Sequence, residues 1–290
     1  MSLPGAATES GVLYIVATPI GNLGDISQRA ADVLGGVDCI AAEDTRHSQR
    51  LLQALGIQKP LLALHEHNER ERCGQVIDRL KSGESIALVS DAGTPLISDP
   101  GFVLVRAARA EGLRVTPVPG PSAIITALSA AGLPTHRFTF EGFLPTKRKA
   151  RADALAALKK ETRTLVFYEA PHRVRETMAE ISAVMGGDRE VVLARELTKT
   201  FETFYSGTAS EVEVLLGTDD YAERGEYVVM VAGAQAETDE AAVVDADRLL
   251  EVLLAELPVK VSAKMASEVT GLSRNELYQR ALALKSNSDR

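Results

Sequence analysis

Four segments of the sequence contain small or polar residues that can hold a ligand, and all but residues 42–46 are also rich in proline or glycine. They are residues 18–25, 42–46, 90–101 and 119–123. Small residues and prolines let a backbone approach a ligand closely while keeping one loop conformation. Each segment follows an apolar run that is typical of a buried strand. Because ligands of an open parallel sheet bind beyond the carboxyl ends of its strands, we expect these loops to form one site.

The common nucleotide-binding and hydrolase motifs are missing from the sequence. Gly21 and Gly24 have the wrong spacing for G-x-G-x-x-G, and G-x-x-x-x-G-K-[ST] does not occur, which disfavours the usual NAD and NTP sites. No nucleophile elbow is found. His65 and His67 flank Glu66, but no third ligand lies at a convincing position. We therefore expect a polar loop there and no metal site.

The elements that must position the four loops alternate regularly through residues 11–132. Apolar runs predict strands at 12–17, 39–42, 61–64, 85–90 and 114–118. Amphipathic stretches predict helices at 26–34, 47–55, 69–81, 102–111 and 122–130, with Asp25 as the N-cap of the first. Strands that alternate with helices indicate an α/β domain with a parallel, doubly wound sheet.

The remaining sequence predicts a second domain and a helical tail. Residues 133–235 alternate less regularly, with strands at 138–143, 164–168, 191–194 and 227–231 and helices at 148–160, 173–185 and 210–216, which favours a mixed α+β domain. Residues 236–258 are an acidic linker that becomes helical. The pattern of residues 259–285 predicts two short helices joined by a turn. These helices form either a helix-turn-helix module that binds nucleic acid or a pair that packs on the main body.

Composition restricts the classes of function. The chain has 290 residues, 45% of them hydrophobic, two cysteines and a net charge of −8. This charge argues against binding nucleic acid over the whole surface. Residues 145–175, however, contain nine Lys and Arg and only three acidic residues. This cluster of positive charge indicates either a local phosphate-binding surface or a solvated helix face. Neither a signal peptide nor a membrane span is evident, so we expect a cytoplasmic protein.

Several uncommon strings occur together and in one order. They are TPIGNLGDIS, AEDTR, LVSDAGTPLISDPG, PGPSA, FEGFLPTKRKAR, EAPHR and ELTKTFE. Together they resemble the bacterial 2′-O-cytidine methyltransferases of small-subunit ribosomal RNA, members of the tetrapyrrole-methylase superfamily. The resemblance covers about residues 11–234, and residues 263–284 are similar to the C-terminal extension of that family.

The resemblance implies a two-domain fold that holds S-adenosylmethionine in a cleft between its halves. It also implies a homodimer and, as substrate, a decoding-centre cytidine of 16S rRNA in the small ribosomal subunit. Carried over by position, the implied cofactor-binding residues are Pro19, Asp91, Ala92, Gly93, Thr94, Ile97, Ser122, Ala123, Tyr168, Glu169, Leu197, Glu226 and Tyr227.

Methyl transfer to a ribose hydroxyl requires alignment and, since that hydroxyl is a poor nucleophile, help from a base or a cation. Lys199 and Asp44 are candidates for contact with the 2′-hydroxyl, and Arg46 for contact with RNA phosphate. Each of the three is equally compatible with an interdomain ion pair. Basic residues expected to meet RNA are Lys147, Arg148, Lys149, Arg151, His172 and Arg173.

Two other functions compete with this one. A C-methyltransferase of a small tetrapyrrole, of the precorrin or uroporphyrinogen type, would share the fold and the cofactor. The basic helix and the helical tail argue against it. A non-catalytic ribosome-binding protein would have no need of the cofactor loops.

Overall fold

The first part of the chain folds into one parallel sheet with helices on both faces. The structure, a computed structural model, describes residues 11–235 and 240–288. The strands are β1 (Val12–Val16), β2 (Cys39–Ala42), β3 (Leu61–Ala63), β4 (Ile86–Val89) and β5 (Arg114–Val118). They lie in the order β3-β2-β4-β1-β5, and every neighbouring pair is parallel. The helices are α1 (Gln28–Gly36), α2 (Thr45–Ala54), α3 (Glu69–Lys81), α4 (Phe102–Ala110) and α5 (Ala123–Ala131).

The central strand β4 shows why the apolar runs of this region form a doubly covered sheet. Ile86 and Leu88 belong to the core on one face, and Ala87 and Val89 to the core on the other. Because side chains alternate along a strand, a strand covered on both faces must be apolar at every position. The predicted doubly wound parallel sheet is confirmed.

The start of α1 differs from its prediction. Its N-cap is Ser27, whose hydroxyl accepts a hydrogen bond from the backbone N–H of Ala30 at 3.1 Å. The predicted N-cap, Asp25, instead ends a short 3-10 turn, Leu23–Asp25. Both residue types are good N-caps, and local preference alone did not distinguish them.

The second part contains a mixed sheet. Its strands are β6 (Phe138–Phe143), β7 (Thr164–Glu169), β8 (Glu190–Arg195), β9 (Thr203–Thr208) and β10 (Tyr227–Val231), in the order β6-β7-β10-β8-β9. β6 and β7 are parallel, and the other pairs are antiparallel. The helices are α6 (Arg148–Leu158), α7 (Val174–Met185) and α8 (Ala209–Thr218). The mixed character was predicted, but β9 was missed, since this edge strand is only partly buried and mostly polar.

Helix α5 connects the two sheets. One face of the second sheet packs against α6, α7 and α8. On the other face, Val192 and Met230 share a core with Ile124 and Leu128 of α5. The ends of β1, β4 and β5 are thereby held close to the second sheet.

The chain divides into two compact units, Met1–Ala234 and Gln235–Arg290. In the second unit, α9 (Glu240–Glu256), α10 (Val259–Thr270) and α11 (Arg274–Ser288) surround a core that includes Leu250, Ala266 and Leu277. The domain boundaries predicted from sequence at 132/133, 235/236 and 258/259 remain a prediction. In the part of the chain that the structure describes, no helix is both long and apolar enough to cross a bilayer.

Candidate active site

Hydrogen bonds join the loops that follow β1, β2, β4 and β5 at one edge of the first sheet. The loop after β4 is at the centre. Gly93 exchanges two backbone hydrogen bonds with Thr18, after β1, at 2.9 and 3.1 Å. The Asp91 carboxylate accepts a hydrogen bond from the backbone N–H of Asp44, after β2, at 3.0 Å. These three loops therefore form a single rim.

The same central loop is tied to the loop after β5 and contains unusual backbone. The Thr94 hydroxyl donates to the carbonyl oxygen of Pro121 at 3.0 Å. Leu96 and Ser98 have φ values of 75° and 63°, in the left-handed region that side chains other than glycine's disfavour. Residues held in this way cluster at binding and catalytic sites, where the surrounding structure enforces them.

A cavity of about 380 Å³ lies between this rim and the ends of β7, β8 and β10. Its volume is within the range of small-molecule sites, roughly 300–1,000 Å³. Of the residues predicted to bind the cofactor, eleven line this cavity. They are Ala92, Gly93, Thr94, Ile97, Ser122, Ala123, Tyr168, Glu169, Leu197, Glu226 and Tyr227.

Pro19 and Asp91, the two other predicted residues, are not among the lining residues. Pro19 precedes Ile20, which does line the cavity. Asp91 holds the neighbouring loop through its bond to Asp44. Their places are therefore beside the cavity.

Glu169 lines the cavity, but its carboxylate is engaged elsewhere. The side chain is only 1% exposed. It accepts a hydrogen bond from the Thr177 hydroxyl at 2.5 Å and lies 3.2 Å from the Arg173 guanidinium. A ligand in the cavity would meet the backbone of Glu169 more readily than its charge.

A different carboxylate, that of Asp99, lies in the cavity wall. Burial and the neighbouring charge of Asp91 raise the pKa of Asp99 above its usual value, although a hydrogen bond with Ser90 opposes the shift. Burial, followed by the charges of Asp99 and Asp91, also raises the pKa of Glu43. Carboxylates gathered in this way favour a ligand that carries positive charge.

Tyr168 is the aromatic residue at the end of β7. Burial raises its pKa to about 12, with further contributions from the charges of Asp99 and Glu226. The phenol therefore stays neutral at physiological pH. In the cavity it offers an apolar ring and a hydroxyl group.

Lys199 lies beside the cavity, in the loop after β8. Its ammonium contacts Glu196 at 2.8 Å and Glu226 at 3.0 Å. Burial tends to lower the pKa of Lys199, but the hydrogen bonds to these two carboxylates outweigh it, and the net shift is upward. Lys199 is thus a cation at neutral pH.

Asp44 and Arg46 lie at the start of α2, and neither lines the cavity. The Asp44 carboxylate accepts from the backbone N–H of Arg46 at 2.8 Å and pairs with its guanidinium at 3.2 Å. The Arg46 side chain is 89% exposed. Asp44 therefore caps the helix, and Arg46 is available at the surface.

The residues predicted to meet RNA fall into two groups. Lys147, Arg148, Lys149 and His172 are exposed. Arg151, in contrast, is 2% exposed and pairs with Glu180 at 2.6 Å.

Arg173 is also largely enclosed. Besides its contact with Glu169, it donates to the carbonyl oxygen of Leu144 at 2.7 Å. The side chains of Arg151 and Arg173 are engaged in contacts inside the protein. The prediction that these two residues bind RNA is therefore corrected. Spacing in the sequence did not distinguish them from their exposed neighbours.

Sequence reasoning also missed residues that line the cavity. They are Ile20, Ser98, Asp99, Phe143, Ala170, Pro171, Ala194 and Val228. Ser98 and Asp99 lie within a loop that the sequence singled out. Phe143 lies in the string FEGFLPTKRKAR, but the sequence did not place its ring in the cavity, because that position depends on an irregularity of β6.

Comparison with known proteins identifies the family. A family model described as tetrapyrrole (corrin/porphyrin) methylases matches residues 12–213, and one described as the RsmI C-terminal HTH domain matches residues 240–285. Two similar proteins are both named ribosomal RNA small subunit methyltransferase I. The protein from Pseudomonas aeruginosa is 58% identical in sequence, and the match covers 96% of this chain and 99% of the relative. The protein from Xylella fastidiosa is 56% identical, and the match covers 92% of this chain and 98% of the relative.

The solved structure of uroporphyrin-III-C-methyltransferase from Thermus thermophilus superposes with a TM-score of 0.55. The two sequences are 20% identical, and the superposition covers 77% of this chain and 94% of the Thermus thermophilus chain. At this identity the likeness shows the fold alone. The prediction of a methyltransferase that uses S-adenosylmethionine is confirmed for the family. By its matched domains and its full-length relatives, this chain belongs to the tetrapyrrole methylases and, among them, to the ribosomal RNA small subunit methyltransferase I family.

Proposed function

We propose that this protein transfers the methyl group of S-adenosylmethionine to the ribose 2′-hydroxyl of a cytidine in 16S rRNA. The observation that carries the proposal is the cavity between the loop rim and the second sheet. The names of the full-length relatives support small-subunit rRNA as substrate. The resemblance of the sequence motifs supports the 2′-hydroxyl and the decoding-centre cytidine, nucleotide 1402 in standard numbering.

The lining of the cavity fits S-adenosylmethionine. Backbone groups of Ala92 and Thr94 can hydrogen-bond its polar ends, and Ile97 and Leu197 can flank the adenine. The Asp99 carboxylate suits its positive charge. Few polar groups in a mainly apolar wall are typical of a cofactor site.

The cofactor, when bound, supplies an electrophilic methyl carbon on its sulfonium. The work of the chain is to hold the acceptor oxygen about 3 Å from that carbon and in line with the sulfur. The hydrogen-bonded rim and the enforced backbone at Leu96 and Ser98 keep one wall rigid. The ends of β7, β8 and β10 supply the opposite wall.

Lys199 is our candidate for contact with the 2′-hydroxyl. As a cation it can lower the pKa of that hydroxyl, although Glu196 and Glu226 now share its charge. Asp44 remains the alternative as acceptor, and exposed Arg46 the candidate for a phosphate contact.

Replacing Lys199 tests this assignment. We expect Lys199→Met to reduce kcat roughly 100-fold, within the usual range for a group that assists proton transfer, while cofactor affinity is kept. Lys199→Arg, which keeps the charge, should recover part of kcat. Full turnover by Lys199→Met would remove Lys199 from the mechanism.

The exposed cations at the start of α6 and His172 form our proposed RNA surface. Lys147, Arg148 and Lys149 are consecutive and exposed. Screening limits their field to about 8 Å in physiological salt, so a local basic surface can bind phosphates on an acidic protein. A homodimer and a cytoplasmic location complete the proposal, and it requires neither a metal ion nor a membrane.

The test is incubation with methyl-labelled cofactor and, separately, small ribosomal subunits, protein-free 16S rRNA and a porphyrinoid such as uroporphyrinogen. We expect label in RNA, mapped by mass spectrometry to the ribose of one cytidine. Label on the base or on another nucleotide would contradict the 2′-hydroxyl assignment. Label on the porphyrinoid alone would replace the proposal with tetrapyrrole methylation.

A further inference from the structure

An exposed aromatic ring stands in the cavity wall at the end of β6. The Phe143 side chain is 56% exposed, yet the residue lines the cavity. Phe102 and Phe201 are more exposed, at 63% and 72%, but neither lines the cavity. An exposed ring in a cavity wall, unlike a ring on the open surface, is placed to contact a ligand.

An irregularity of the strand places the ring there. β6 pairs in register with β7 up to Phe140, opposite Val166, but Phe143 is opposite Tyr168. Three residues of β6 therefore match two of β7, which means that β6 contains one extra residue. Gly142, with φ of 68°, supplies the backbone conformation for this bulge. A bulge of this kind re-aims the side chain that follows it.

The bulge brings Phe143 to the same side of the strand as Phe140. Both rings pack on Tyr168, with centroid distances of 4.9 Å for Phe140 and 5.6 Å for Phe143. In a regular strand, residues three apart would point to opposite faces. Tyr168 thus backs one part of the Phe143 ring, and the rest stays open.

The segment after Phe143 is held firmly and leads to positive charge. Leu144 is buried, and the Arg173 guanidinium donates to its carbonyl oxygen at 2.7 Å and to that of Pro145 at 3.3 Å. The exposed cations Lys147 and Lys149 follow within a few residues. An aromatic platform beside cations is the combination that binds single-stranded nucleic acid, because bases stack on the ring while phosphates meet the charges.

We propose that Phe143 is the platform on which a nucleobase of the RNA substrate stacks as the strand enters the cavity, with Lys147 and Lys149 holding the adjoining phosphates. This inference rests on the RNA substrate proposed above. It adds a substrate-positioning residue that the cofactor site does not require. A base that stacks here is unpaired, so the RNA enters single-stranded or with this nucleotide turned out of its helix.

The experiment compares Phe143→Ala, Phe143→Trp and the wild-type enzyme on small ribosomal subunits or on protein-free 16S rRNA, whichever of the two the wild type methylates. Loss of one stacked base costs roughly 5- to 150-fold in affinity, so we expect kcat/KM of Phe143→Ala for RNA to fall by that factor, chiefly through KM. Phe143→Trp should stay near the wild type. Cofactor affinity, measured by calorimetry, should change in both variants much less than kcat/KM for RNA changes in Phe143→Ala.

Phe201→Ala is the matched control, because Phe201 is 72% exposed but is not among the lining residues. An unchanged kcat/KM in Phe143→Ala would overturn the inference, and so would a loss of cofactor affinity as large as the loss for RNA. A change in sedimentation would assign the ring to a contact between copies of the chain instead. A wild-type enzyme that methylates neither small ribosomal subunits nor protein-free 16S rRNA would overturn the proposed function, and this inference with it, whereas the other outcomes leave that function standing.

Discussion

At the scale of single residues, Arg151 shows how ion pairs hold a basic side chain in the protein interior. Its guanidinium lies between Glu180, at 2.6 Å, and Glu176, at 3.1 Å. The Glu180 side chain is itself only 10% exposed. These pairs join α6 to α7. Removing Arg151 leaves the nearly buried Glu180 paired only with the exposed Arg148, so most of the cost of burying its charge is no longer offset.

We therefore expect Arg151→Ala to lower the free energy of unfolding by about 3 kcal/mol. Arg148→Ala is the control, because Arg148 pairs with the same Glu180 at 3.3 Å while its side chain is 89% exposed. Its loss should be at most about 1 kcal/mol. Urea unfolding measures both values, and equal losses would show that burial is not the cause.

At the scale of elements, the loop after β1 packs closely on the loop after β8. A methyl group on Gly21 would lie 2.9 Å from the Thr198 hydroxyl and 3.0 Å from the carbonyl oxygen of Leu197. The second loop is poorly able to move, since Glu196 and Thr198 already have positive φ values of 51° and 66°. The two walls of the cavity are therefore joined through a glycine.

Gly21→Ala should push these loops apart and weaken cofactor binding roughly 10-fold or more, because misplacement of a binding wall by about 1 Å has large effects. Calorimetry with S-adenosylmethionine measures the change. Gly35→Ala, in α1, has open space around the new methyl group and should bind the cofactor normally. It should also be more stable by up to about 1 kcal/mol. Equal cofactor affinity in the two variants would contradict this account.

The ends of β2 and β4 bring Glu43 and Asp99 into one acidic cluster with Asp91. Burial raises the pKa of both Asp99 and Glu43 in the folded protein. When folding raises the pKa of a carboxyl group, the neutral form of that group stabilises the folded protein. This contribution to the free energy of unfolding is fully present below the pKa of the unfolded chain, near 3.8 for Asp, and is lost as the pH rises through the pKa of the folded protein.

Asp99→Asn should therefore be more stable than the wild type at pH 7, and the difference should shrink as the pH falls toward 4. Thermal unfolding at a series of pH values measures it. Glu213→Gln, at an exposed position on α8, is the control and should change the stability by no more than about 0.5 kcal/mol. A constant difference across the series would mean that the charge of Asp99 is not responsible.

At the scale of the whole molecule, the chain forms two compact units, and every residue lining the cavity belongs to the first. Near the end of that unit, the backbone N–H of Ala234 donates to the carbonyl oxygen of Glu161 at 2.6 Å. The helical unit has its own core around Leu250 and Leu277.

A chain that ends at Gln235 should fold and bind S-adenosylmethionine with unchanged affinity, because it keeps the whole cavity. If the helical unit binds RNA, methylation of small-subunit RNA by the shortened chain should require a higher RNA concentration. Calorimetry and methylation kinetics measure these two properties. Lost cofactor binding would show that the first unit depends on the helical one.

The sequence alone determined which elements form the first sheet and the order of the cofactor loops. Apolar runs such as Ile86–Val89 predict strands, because every side chain of a strand that is covered on both faces is buried and therefore apolar. Parallel pairing then places the ends of β1, β2, β4 and β5 on one edge, which predicts where Gly93 and Thr94 lie. These are consequences of local pattern and of simple topology.

Only the tertiary structure decided what each side chain at that edge does. Arg148 and Arg151 look alike in the sequence, yet Arg151 is buried because α7 places two carboxylates opposite it. Phe143 enters the cavity because one extra residue in β6 turns it, a fact of pairing with β7. Burial and charge at a site come from neighbours distant in the sequence, so its chemistry required the folded chain.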